Sequence, residues 1–269
     1  MAENIILGII QGIAEWLPVS SEGMIMLTRL LVFKDQSGFD ILVQDILFLH
    51  LGSALAAVVY FRKEILALAA TSFQYKKHPP ADRKTLIFLV ISTGISGLLG
   101  LGLIWAVTAL STGLFTSLYR PLLLLIGTSL LLTAWLQHRA DSHGQKLPED
   151  LKLCDAVWLG LAQGLAVIPG LSRSGMTVSA LLLRKFAGPT ALRLSFLMSI
   201  PIILLGNVAL VGLAGWKVTP GSLAGLVFAF VCGLLTIHAL LKLARQVNFA
   251  VFIAVMAALV ILSAFLPVS

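Results

Sequence analysis

Charge is scarce in this 269-residue chain: Asp, Glu, Lys and Arg make up 12% of it, against about 25% in ordinary soluble proteins, while 58% is hydrophobic. Such a composition excludes a water-soluble fold, which would have too few polar side chains to cover its surface. Cysteine is also sparse. Cys154 and Cys232 lie in or beside apolar segments and are expected to be small buried hydrophobes, not a disulfide pair. The amino terminus lacks a basic stretch and an A-x-A-like cleavage site, and its first apolar run carries Gln11 and Glu15, so it is read as mature chain and not as a cleaved leader. Acidic residues are outnumbered, leaving a net charge of +7. The basic residues sit at the ends of apolar segments instead of on one stripe with interleaved aromatics, which argues against nucleic acid as a partner and for a topology signal.

What the chain does have is long apolar runs. Six are long enough to span a bilayer, about Ile41 to Phe61, Thr85 to Ala106, Pro121 to Gln137, Thr190 to Leu213, Leu223 to Leu241 and Asn248 to Pro267. Two others, about Glu3 to Leu31 and Leu153 to Leu183, are broken by polar runs at 18–23 and 169–175. Each break leaves two half-helices too short to cross, and exposed backbone is tolerated at that depth only inside protein or along a wet cavity, so both segments are predicted to be re-entrant hairpins. The expected fold is therefore an all-α polytopic membrane protein, a single integral domain over 1–269 with six transmembrane helices plus two re-entrant helical hairpins. With this topology one side carries fourteen Lys and Arg and the other only Arg29, Lys34, Arg120 and Lys217, which places both termini outside the cytoplasm.

The broken segments repeat one another. At a constant offset of 152 residues Gly8, Gln11, Gly12, Ala14, Ser20, Gly23 and Met24 meet Gly160, Gln163, Gly164, Ala166, Ser172, Gly175 and Met176, seven identities over seventeen positions. Matched Gln, Ser and Gly in register point to two repeats, approximately 1–138 and 139–269. Because they start on opposite sides, they form an inverted pair, an arrangement that builds a site where the discontinuous helices meet.

In each break, Ser20, Ser21, Ser172 and Ser174 precede an apolar helical stretch and are placed as helix caps, with free amides facing the cavity. Two helix starts aimed at one point favour an anion, and Arg173 adds a planar donor fork suited to phosphate. An arginine at that depth is costly, by about 2.5–3.5 kcal/mol on insertion scales. The alternative is that Arg173 pairs structurally with Glu15 or Glu22 and the serines only cap. Glu15 follows Gln11 by four residues and shares its helix face; it could hold a divalent cation with phosphate oxygens, or act as a general base. His50 could supply acid chemistry or simply join two helices. Asp40 and Asp45 read as structural, and His78, His138, His143 and His238 need no special role.

The stretch Gly8 to Ser21, GIIQGIAEWLPVSS, is similar to the (E/Q)-x-x-x-E motif and following Pro and Ser-Ser of the bacitracin-resistance type undecaprenyl-diphosphate phosphatases. Pro169 to Thr177, PGLSRSGMT, fits that family's PGxSRSxxT motif at every fixed position, with weaker support from Leu49 to Arg62 and Leu194 to Pro201. The resemblance runs along nearly the whole chain. It implies hydrolysis of the terminal phosphate of undecaprenyl diphosphate at the cell membrane, with recycling of the carrier lipid and help from Mg²⁺ or Ca²⁺. It makes Glu15, Ser21 and Arg173 catalytic, with Glu15 a cation ligand, and Gln11, Ser20, Ser172, Ser174 and Thr177 phosphate-binding. Where the family reads x-Gly-His after Ser-Ser, this chain has Met24, which cannot carry a proton, leaving His50 or Glu22 to compensate. A lipid flippase, a binding-only paralogue and self-association into a homodimer are left open.

Overall fold

The computed structural model describes residues 1–34, 39–110, 119–140, 144–168, 170–214, 218–243 and 250–265. His143, Pro169, Lys217, Arg245, the ends of the last predicted span and the side chain of Asp40 lie outside them. Eleven α-helices are described: α1 (Ala2–Ala14), α2 (Ser21–Leu31), α3 (Phe39–Tyr60), α4 (Arg62–Phe73), α5 (Pro80–Leu110), α6 (Tyr119–Arg139), α7 (Leu153–Leu165), α8 (Arg173–Leu183), α9 (Gly188–Ala214), α10 (Pro220–Leu243) and α11 (Ala250–Ser263). Among the described residues the one β-type pairing is an isolated bridge between Lys146 and Phe186.

Three helices are long and apolar enough to cross a membrane over Pro80–Leu103, Gly188–Val208 and Pro220–Lys242, and Gln44–Tyr60 with Arg62–Phe73 makes a fourth if that bent pair is one span. This is the architecture of a multi-pass membrane protein. Helix α4 was not foreseen, since the chain after Phe61 reads as a basic loop. The helix bends by 79° there. Arg62 turns back to bond the Val59 carbonyl at 3.0 Å, and the good helix formers after Lys63 continue in a new direction.

Both broken segments are helical on either side of their breaks, and α2 and α8 coincide residue for residue at the 152-residue offset. Each hairpin is also tied at its open end. Arg29, in the last turn of α2, lies 3.8 Å from Glu3 in the first turn of α1 and bonds to Asp45. Arg184, at the end of α8, pairs with buried Asp155 in the first turn of α7. Glu3 and Asp155 are themselves related by the offset. Cys154 beside this pair is exposed, not buried as expected, because it faces away from the bundle on the first turn of α7; Arg184 donates to its Sγ at 3.1 Å, and both cysteines are free.

The matched glycines explain how the hairpins are held. Gly8 and Gly12 let α1 lie directly on Gly225, Ala229 and Gly233 of α10, while Gly160 and Gly164 seat α7 on Ser92, Ile95 and Leu99 of α5. Small residues four apart permit close backbone approach where the bilayer supplies little drive for association. Exchanging α1, α2, α3, α5, α6 for α7, α8, α9, α10, α11 turns the α1–α10 contact into α7–α5 and α3–α10 into α9–α5, both of which are present, while α6–α11 and α3–α9 map onto themselves. A Cβ on Gly8 would lie 2.1 Å from the Gly225 carbonyl oxygen. Gly8→Val is therefore expected to destabilise the fold by about 1–3 kcal/mol or more, read as a lowered thermal midpoint in detergent. An unchanged midpoint would mean that the α1–α10 contact is not tight.

The site at the meeting of two helix breaks

The first turns of α2 and α8 are built alike. Ser20 has an extended backbone, and its hydroxyl accepts from Gly23 N at 3.1 Å; Ser172 does the same for Gly175 N at 3.1 Å. These two serines are the caps. Ser21 and Ser174, also expected to cap, lie inside the first turns, one and two residues past the N-cap respectively, so their hydroxyls are free for other partners. The amides of Ser21, Glu22, Arg173 and Ser174 head their helices and precede any intrahelical acceptor.

The two breaks touch. Ser174 Oγ donates to the Leu17 carbonyl at 2.6 Å and contacts Ser172 Oγ at 3.2 Å. Gly170 has φ +91°, a region open to glycine, and its α-carbon lies against the backbone of Ile126 on α6, where a side chain would meet Ile126 Cα at 2.4 Å. Gly23 of the other break faces the Ile126 side chain. Helix α6 is thus the common floor of both loops.

Glu15, 5% exposed, is the hub. Its Oε2 accepts from Ser21 Oγ at 2.8 Å and Gln11 Nε2 at 2.9 Å and faces His50 Nε2 at 3.2 Å, while Arg173 Nη2 bonds to Oε1. Arg173 lies over the Trp16 ring at 5.8 Å, and Trp16 is braced edge-on by Phe196 at 4.8 Å. One guanidinium nitrogen, Nη1, is buried without a hydrogen-bond partner. Because such an atom is expensive to leave unpaired, the fork has a vacant arm beside its carboxylate.

Glu15, Ser21, His50 and Arg173 line a cavity of about 480 Å³ together with Ser20, Glu22 and Ser172. Much of the remaining lining is apolar, with Gly97, Gly100 and Leu101 of α5 and Leu205, Gly206 and Val208 of α9. Of the residues anticipated from sequence, Glu15, Ser20, Ser21, Glu22, His50, Ser172, Arg173 and Ser174 come together on the cavity wall. Gln11 and Thr177 stand behind it: Gln11 supports Glu15, and Thr177 bonds to the Arg173 carbonyl at 2.8 Å and to Ser195 at 2.6 Å. Met24 packs against the apolar cluster of α6 and α11. Sequence reasoning missed Trp16 beneath Arg173, and Gln163 and Ser96, which are bonded at 3.0 Å on the cavity wall. Gln163 carried a signal as one of the repeat identities; Ser96 carried none.

The residues do not make a resident cation cage. Both Glu15 oxygens are engaged, one by a guanidinium, and among the described residues no three His, Cys, Asp or Glu stand together as a ligand set.

Residues 4–262 match the family described as "Bacitracin resistance protein BacA". The chain is similar to the "Undecaprenyl-diphosphatase" of Methanococcoides burtonii, 43% identical over 277 residues covering 99% of each chain. It is likewise similar to that of Haloarcula marismortui, 41% identical over 256 residues covering 91% of this chain and 90% of the relative. "Undecaprenyl-diphosphatase 2" of Halalkalibacterium halodurans is 37% identical over 215 residues, 78% of this chain and 73% of the relative. With a match that spans nearly every residue, the chain belongs to the BacA family of bacitracin resistance proteins.

Proposed function

We propose that this protein hydrolyses undecaprenyl diphosphate, or a closely related polyprenyl diphosphate, to the monophosphate and inorganic phosphate, the activity named for its relatives. The observation that carries this reading is Glu15 bonded at once to Ser21 and Arg173 in a cavity whose remaining lining is largely apolar. A lipid diphosphate has the matching polarity. Its phosphates lie on Arg173 and the amides that head α2 and α8, and its first isoprene units lie between α5 and α9. Ser21 Oγ, already donating to a carboxylate, is the nucleophile and Glu15 its base. Arg173 and the helix-start amides stabilise charge on the transferring phosphoryl group. Ser20, Ser172 and Ser174 hold the two loops, with Gln11 and Thr177 supporting from behind.

In the bilayer we place six spans and two re-entrant hairpins as inverted repeats, approximately 1–138 and 139–269, in the cell membrane. The ion pairs that join the start of each first half-helix to the end of the second support re-entry. Opposite insertion is supported by α1 starting beside the start of α10, and α7 beside the start of α5, while Phe88 of α5 clusters with Leu194 and Met198 of the parallel α9. The excess of basic residues on one side supports extracytoplasmic termini. The test is phosphate release from a polyprenyl diphosphate by purified protein in detergent. We expect multiple turnovers, and binding of the lipid with no release of phosphate would overturn the assignment.

A further inference from the structure

His50 is the one described imidazole at the cavity, and its ring orientation is dictated from behind. Nδ1 lies 2.7 Å from the Ile46 carbonyl oxygen, one turn earlier on α3. A carbonyl only accepts, so Nδ1 carries a hydrogen and Nε2 is the nitrogen that faces Glu15 Oε2 at 3.2 Å. That oxygen also takes the Ser21 hydroxyl at 2.8 Å. Nucleophile and imidazole therefore share one carboxylate oxygen, and His50 and Ser21 both line the cavity. For Nε2 to attract the carboxylate it too must carry a proton.

The charged groups that face this ring are Glu15 at the end of α1, Glu22 on α2 and Arg173 on α8, all on the cavity wall. On α3 itself Asp45 is turned to Arg29. On the other helices packed against α3, Cys232 of α10 lies beside Gly12, His238 lies beside Tyr60 at the far end, and Arg193 of α9 pairs with Glu64.

We propose that His50 is the acid and base that complements Glu15 in the phosphatase reaction, an inference that rests on the function proposed above. In the first step Ser21 Oγ bonds to the terminal phosphorus and passes its proton to Glu15. The bond from that phosphorus to the bridging oxygen breaks, and the oxygen leaves with its electron pair on the prenyl monophosphate, taking the Nε2 proton of His50. In the second step water attacks the phosphoserine and gives a proton to the now neutral His50. The Oγ–phosphorus bond breaks, Ser21 recovers its proton from Glu15, and phosphate departs. The sum is one water consumed per diphosphate, with both residues returned to their starting states.

The experiment is phosphate release from farnesyl diphosphate and from a longer polyprenyl diphosphate, for wild type and His50→Gln. Wild type is read first, and failure of wild type to turn over either substrate refutes the phosphatase reading itself. Given turnover, kcat of His50→Gln is expected to fall about 100-fold with KM within about threefold. His50→Ala, assayed with and without added imidazole, is expected to regain activity with it, and this readout survives any loss of folded protein because it compares one preparation with itself. A His50→Gln variant with wild-type kcat, or a His50→Ala variant indifferent to imidazole, would overturn the proposal.

Discussion

Arg173→Ala lowers kcat/KM for phosphate release by a factor on the order of 10³ or more, the range set by transition-state arginines in phosphoryl transfer. The reason is double. The guanidinium anchors Glu15 through one arm and leaves Nη1 unpartnered beside the cavity wall, so its loss removes the clamp and strands a buried carboxylate. Arg173→Lys is expected to recover little, since an ammonium can neutralise Glu15 but cannot present the planar fork or stack in the same way on Trp16. The measurement is steady-state release with the folded fraction checked by thermal midpoint. Arg173→Ala retaining activity within tenfold of wild type would remove it from the chemistry.

Ser21→Ala is the second large effect, with kcat expected to fall by at least about 10³-fold, since the removal of a nucleophile in a serine enzyme costs up to about 10⁶. The hydroxyl is small, lies in the first turn of α2, and leaves the cap on Ser20 untouched, so the fold is expected to hold. Brief incubation of wild type with diphosphate labelled in its terminal phosphate, followed by acid quench, should leave label on Ser21 and none on the alanine variant. A labelled product without any labelled protein, together with near-normal turnover of Ser21→Ala, would move the attack to water.

The two breaks and the matched residues around them were readable because they rest on residue types with few uses inside apolar segments. Gln11 and Gln163, Ser20 and Ser172, Gly8 and Gly160 match in register, and each does in the fold what the pattern implies: the glycines admit a neighbouring helix, the serines cap, and the glutamines bond buried serines on adjoining helices. The partner of Arg173 was narrowed in sequence to Glu15 or Glu22, and three-dimensional contact across 158 residues selects Glu15. Other features had no local signature. The bend into α4 follows from where the chain turns at Phe61, and hydropathy registers only that the apolar run has ended. Trp16 looks like any buried aromatic until Arg173 is laid on it. Thr177 fits a motif as a ligand, yet its hydroxyl is taken by the Arg173 carbonyl and Ser195, a choice made by how α9, the next helix, packs on α8. Of the four serines placed as caps only Ser20 and Ser172 cap, because backbone geometry decides where a helix starts and a run of serines is indifferent to it.

Two loops from distant parts of the chain should act as a single catalytic unit, and a double-mutant cycle on Glu15→Gln and Arg173→Gln measures this most directly. If the carboxylate and guanidinium work through their contact, the double variant releases phosphate about as fast as the slower single variant. If the two losses instead multiply, the residues act independently and the joined site described here is not the one that turns over the lipid.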